Sequence, residues 1–173
     1  MEDYFKKILQ AQVYEVAKKT PLEKANNLSK TLNNSIYLKR EDLQDVFSFK
    51  IRGAFNKMRQ LTKSQLAKGV ITSSAGNHAQ GVALSALKLN CCATILMPIT
   101  TPIVKVKAVK NLKAKVILFG DNYDETYGEA IRISKDRNLS FIHPFDDPEV
   151  IAGQGTIAIE LEQQLKEKPY AIY

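Results

Sequence analysis

The strongest constraint on the fold is a change of rhythm near residue 68. From there, short runs of β-branched and apolar residues alternate with longer amphipathic stretches, separated by turn residues. "KGVITSS" (68–74), "CATILMP" (92–98), "KVILF" (115–119) and "SFIH" (140–143) read as strands. Between and after them lie four helical stretches. One covers 77–89, and another follows Thr101 with Pro102 at its first position. A third follows Asn122, with Glu125 at capping-box spacing, and the fourth runs from Asp147-Pro148 to about Lys168. Apolar strands alternating with helices argue for an α/β fold: a three-layer parallel sheet with helices on both faces. Upstream, 4–17 has helical periodicity, "SIYLKRE" (35–41) reads as a short strand and "SFKIRGAFNKMRQL" (48–61) as a helix. "YAIY" (170–173) reads as a last strand.

Composition removes several function classes. With 173 residues, 45% hydrophobic and 25% charged, the chain has the profile of a folded globular protein and not of a disordered one. No apolar run reaches the roughly 20 residues needed to span a bilayer. "MEDYFKKILQ" lacks a signal-peptide pattern, so a cytoplasmic location is expected. The net charge of +7 raises the question of nucleic acid. The densest cluster, however, is Lys105, Lys107, Lys110 and Lys113, interleaved with Val106 and Val109, which is the pattern of a solvated helix face. It lacks interleaved aromatics, and no nucleic-acid partner is expected. Cys91 and Cys92 are adjacent and read as small buried strand residues without a mutual disulfide. His78 and His143 have no ligand-like spacing to cysteine or carboxylate, so no metal is expected.

Two stretches carry candidate chemistry. In "SSAGNHAQG" (73–81), Ser74, Ala75 and Gly76 follow a strand and lead into a helix near Asn77. Small residues allow a ligand to approach the backbone, and the first helical turn offers unpaired N–H groups at a positive dipole end. An anion site and an ordinary tight turn both fit this composition, while neither the Walker nor the dinucleotide glycine pattern is present. In "SFKIRGAF" (48–55), Lys50 stands between Phe49 and Ile51. Such a lysine either snorkels to water or is held in a pocket, where apolar surroundings disfavour the ammonium.

Taken in order, "YLKREDLQ", "SFKIRGA", "SSAGNHAQG" and "PFDDPEVIAGQGTIAIE" (144–160) resemble pyridoxal-phosphate-dependent lyases of fold type II, the tryptophan synthase β-like group. Within it the similarity is greatest to threonine ammonia-lyases, with serine racemases close by, and it runs from about Val16 to the last residue. The resemblance implies that Lys50 is the Schiff-base lysine holding pyridoxal 5'-phosphate, that Phe49 packs against the cofactor ring and that Asn77 hydrogen-bonds the ring oxygen. It implies that Ser74, Ala75, Gly76, Asn77 and the His78 amide hold the substrate carboxylate. Arg52 is expected to be structural, paired with Glu41 or Asp42, or placed beside the phosphate. Gly153 and Gly155 are expected to serve close helix packing. The implied reaction is β-elimination, in which Lys50 removes the Cα proton of L-threonine or L-serine and the β-hydroxyl leaves, giving 2-oxobutanoate or pyruvate and ammonia. Ala75 occupies the place of a serine that faces the other side of Cα in the racemases; an alanine has no proton to give, so a dehydratase is expected, not a racemase.

The resemblance further implies domain parts at 1–45 (large domain), 46–152 (small domain) and 153–173 (return to the large domain). A glycine-rich phosphate loop is expected to follow in the family, and none of the eight glycines here form one. The rest of the large domain is therefore expected to be missing, leaving the chain dependent on it for turnover, or acting as a non-catalytic fragment bound to a full-length lyase. A homo-oligomer is expected for the full-length form.

Overall fold

The computed structural model describes residues 3–173. Its centre is a four-stranded parallel sheet of β3 (Val70–Ser73), β4 (Ala93–Met97), β5 (Lys115–Leu118) and β6 (Ser140–Phe141), in the order β5-β4-β3-β6. Alternation along the strands separates two apolar layers. Val70, Ile95 and Met97 pack with α5 (Asn77–Lys88) and α6 (Ile103–Asn111). Ile71 and Leu96 face α7 (Tyr123–Arg137) through Ala130 and Ile133. The expected three layers are therefore present.

The helix starts have local causes. The Asn122 side chain accepts a hydrogen bond from Glu125 N at 3.0 Å, and the Glu125 carboxylate returns to Asn122 Nδ2 and to the Asp121 amide. Asp147 accepts from Glu149 N and Val150 N ahead of α8 (Pro148–Gln164), with Pro148 at its start. Pro102 lies one residue before α6, in extended geometry (ψ 136°), rather than at its first position.

Outside this unit the structure departs from several expectations. The first helix, α1 (Tyr4–Gln10), stops well short of residue 17. Val13, Val16 and Ala17 do share one face, but as a single turn buried against Val46, Ile51 and Phe55. The antiparallel pair β1 (Leu22–Lys24) and β2 (Tyr37–Lys39) brackets a short helix, α2 (Asn26–Thr31), and a 3-10 turn follows at Glu41–Leu43. Helix α3 (Lys50–Arg59) begins at Lys50 and is followed by α4 (Lys63–Lys68) behind a Thr62/Gln65 capping box. Residues 170–173 form no strand and are exposed, because no neighbouring strand pairs with them. Cys91 and Cys92 precede β4 instead of lying in it. Cys91 is half-buried, which pushes its thiol up to about 11, and Cys92 is exposed.

Candidate active site

The functional candidates converge beyond the carboxyl ends of β3 and β6, where ligands of parallel α/β sheets bind. Lys50 is the first residue of α3 and is half-buried. Its Nζ donates to the Pro144 carbonyl at 2.8 Å and lies 5.4 Å from the centroid of the Phe49 ring. Among the described residues, Nζ forms no ion pair with a carboxylate. Burial holds the ammonium below the usual lysine range. Partial desolvation of this kind favours the neutral amine, the form that acts as nucleophile or base.

Helix α5 starts beside it. A Cβ on Gly81, one turn into α5, would lie 3.1 Å from the Lys50 carbonyl carbon and oxygen, so the missing side chain sets the approach of the two helices. The N-terminus of α5 has no side-chain cap and no acidic residue in its first turn. Ser74, Ala75 and Gly76 are half-buried in the preceding turn, with the Ser74 hydroxyl accepting from Gly76 N at 3.2 Å. A Cβ built on Gly76 would meet nothing within 4 Å, so open space lies against this backbone. The Asn77 side chain is exposed.

The His78 ring is buried. Nε2 donates to the Ile142 carbonyl at 3.1 Å, and Thr72 Oγ1 donates to the same carbonyl at 2.7 Å. With the proton on Nε2, Nδ1 is an acceptor without a partner. Burial first, and then the charges of Lys50 and His143, push His78 down to about 4, so the ring is neutral at physiological pH.

Arg52 does pair with Glu41, and not with Asp42, whose carboxylate binds Arg40. The sequence did not reveal its second carboxylate, Glu160, or the Pro144 carbonyl that receives Lys50. The only signal for both lay in the motif 144–160, whose far end and first residue these are. Among the described residues no group of three or more His, Cys, Asp or Glu could hold a metal ion, and no helix is long and apolar enough to cross a membrane.

A half-buried, carboxylate-free lysine amine beside an uncapped helix N-terminus and an open glycine backbone suits a phosphorylated aldehyde and a carboxylate-bearing substrate. That is the donor set of a lysine-anchored pyridoxal phosphate enzyme. The family model "Pyridoxal-phosphate dependent enzyme" matches residues 13–173, and the chain belongs to this family. It is 56% identical over 171 residues to threonine dehydratase 1 biosynthetic, chloroplastic, of Solanum lycopersicum, a match covering 99% of this chain and 28% of that protein. The processed form of threonine deaminase isoform 2 from Solanum lycopersicum superposes with TM-score 0.90 at 53% identity, over 94% of this chain and 45% of the other. Maize serine racemase superposes with TM-score 0.89 at 32% identity, over 94% and 50%. The chain thus spans less than a third of the curated relative's length.

Proposed function

We propose that the protein is a threonine ammonia-lyase acting on L-threonine, and on L-serine, by β-elimination. The position of Lys50 carries this reading: a half-buried amine, hydrogen-bonded to a carbonyl, at the start of a helix packed on α5. Pyridoxal phosphate, when bound, supplies the electron sink that stabilises negative charge developing at Cα. Lys50 holds the cofactor and afterwards moves the Cα proton at its Nζ. Phe49 would pack on the ring and Asn77 would hydrogen-bond to its oxygen. The backbone of Ser74, Ala75 and Gly76, with the Asn77 and His78 amides, binds the substrate carboxylate through the dipole end of α5. Ala75 carries no hydroxyl to return a proton from the opposite side, which favours elimination over racemisation.

The parts 1–45, 46–152 and 153–173 are assigned to large, small and large domain. The cytoplasm expected from the N-terminal sequence and a homo-oligomeric full-length form belong to the same proposal; the tomato relative is chloroplastic by name. Product analysis of the pyridoxal-phosphate-loaded protein tests the reaction. Formation of 2-oxobutanoate and ammonia from L-threonine is expected when the rest of the family's large domain is supplied, and interconversion of L- and D-serine without keto acid overturns it.

A second reading is favoured by one observation. Leu28 on α2, Leu32 just after it, and Tyr37 and Leu38 on β2 each expose close to half of their surface or more. A non-catalytic chain docking on a full-length lyase through this face accounts for that. Gel filtration of the protein with and without such a lyase separates the two readings, and co-elution supports the second.

A further inference from the structure

The guanidinium of Arg52 is wholly buried, two residues after Lys50 on the same helix. Nε and Nη2 donate to the two Glu41 oxygens at 2.8 Å each. Nη1 donates to Glu160 Oε1 at 2.7 Å and Thr156 Oγ1 at 3.1 Å, and Nη2 also reaches Glu160 Oε2 and the Lys18 carbonyl. Lys39 pairs with Glu160 at 2.6 Å, so two cations and two carboxylates neutralise each other inside the fold. The clamp joins α3 to α8 where their backbones touch: a Cβ on Gly153 would lie 2.6 Å from the Arg52 carbonyl oxygen. The chain leading into α8 supplies Pro144, the acceptor of Lys50 Nζ. The amine therefore rides on one helix and its acceptor on the turn leading into the other, and this guanidinium helps to fix the setting of the two, together with Asn56 Nδ2 on the Glu149 carbonyl and Lys57 on Asp147.

We infer that Arg52 is a positioning residue that aims the Lys50 amine, by locking α3 onto α8 and onto the Glu41 turn. Only a planar fork can serve both carboxylates; a lysine keeps the charge and loses the bridging geometry. Once the lock is loosened, Lys50 gains water and titrates closer to an ordinary lysine. The titratable neighbour coupled to Lys50 is His78 on α5, itself coupled to His143, and His78 stays neutral through the alkaline range.

The inference rests on Lys50 being the working amine, but its test does not use the cofactor. Trace acetylation with acetic anhydride across alkaline pH, followed by mass spectrometry, reports the titration of Lys50 against exposed Lys24 in the same sample. In Arg52→Lys, folded by circular dichroism, the Lys50 midpoint rises by about half a pH unit, and its reactivity below the midpoint falls about threefold. Ile133→Ala, in the α7 layer, lowers thermal stability and leaves the Lys50 midpoint in place. Glu160→Gln is the second variant: loss of a negative charge alone lowers the midpoint, whereas loss of the lock raises it. An unchanged midpoint in folded Arg52→Lys overturns the inference. If that variant does not fold, an unchanged or lowered midpoint in Glu160→Gln does so. A parent protein that shows these shifts yet takes no pyridoxal phosphate on Lys50 indicts the assignment of the amine, not the lock.

Discussion

The layer around β3–β6 and the segment before α3 are built on different principles. In the sheet unit, each strand buries alternate residues into two separate apolar layers, and each helix carries a face to match. Local pattern and global packing agree there. Residues 3–49 contain elements of three to seven residues, too short to hold by propensity. They are held by tertiary contacts: the apolar cluster of Val13, Val16, Ala17 and Val46 on Ile51 and Phe55, and the polar contacts Gln12 N to Asn56 Oδ1, Lys18 N to Gln44 Oε1 and the Glu41–Arg52–Glu160 clamp. One region is secured chiefly by apolar area; the other adds to a small apolar cluster a few buried polar groups, among them the Arg52 guanidinium, whose removal takes the ion-pair partner from a buried carboxylate.

That contrast ranks the expected effects of mutation. Arg52→Met takes from Glu41 its ion-pair partner and leaves Glu160 with Lys39, and is expected to cost about 3–5 kcal/mol by chemical denaturation, the cost of breaking a buried ion pair from one side. A cost below that of an apolar core truncation breaks the comparison. Gly153→Ala drives a methyl onto the α3 backbone, 2.6 Å from a carbonyl oxygen and 2.7 Å from Gly53 Cα, and is expected to cost about 3 kcal/mol.

The pH dependence of stability carries a third prediction, through His78. Its folded value of about 4 lies below the unfolded one, so the unfolded chain binds more protons between the two. Stability therefore falls as pH drops through about 6.5 and levels off near 4. From pH 7 to 5 this single group accounts for about 2 kcal/mol, and His78→Gln flattens that part of the profile. The smallest effect lies on the regular side of the comparison. Gly128 sits exposed in the middle of α7 with open space where a Cβ would be, and Gly128→Ala is expected to stabilise by about 1 kcal/mol. Thermal denaturation of that variant sharpens the contrast, since the two glycine-to-alanine changes have opposite signs.

What could be read from the sequence follows the same division. The four central strands, the helices between them and the caps at Asn122 and Asp147 were legible because each is specified by nearby residues. The Glu41 partner of Arg52 was readable eleven residues away, whereas Glu160, 108 residues on, depends on how α8 returns across α3. The periodicity of 4–17 misled because Val13, Val16 and Ala17 reach their face through one isolated turn. The strand expected at 170–173 failed because β-propensity means little without a neighbour to pair with. α4 carried a readable signal, the Thr62–Gln65 capping box, but its six residues bury nothing and leave no apolar stripe. Within the site, the placement of Lys50 between apolar neighbours at a helix start was visible beforehand. The Pro144 carbonyl was not, because a backbone acceptor leaves no mark in residue identity.

The central claim is that the Lys50 amine captures the cofactor, and it can be tested on the protein directly. Pyridoxal phosphate is added near neutral pH, borohydride fixes whatever imine has formed, and the peptides are mapped by mass. The account predicts the cofactor mass on the peptide containing Lys50, at concentrations that leave the exposed lysines of α6 unmodified, and its loss in Lys50→Ala. Label spread over surface lysines with Lys50 untouched would contradict it.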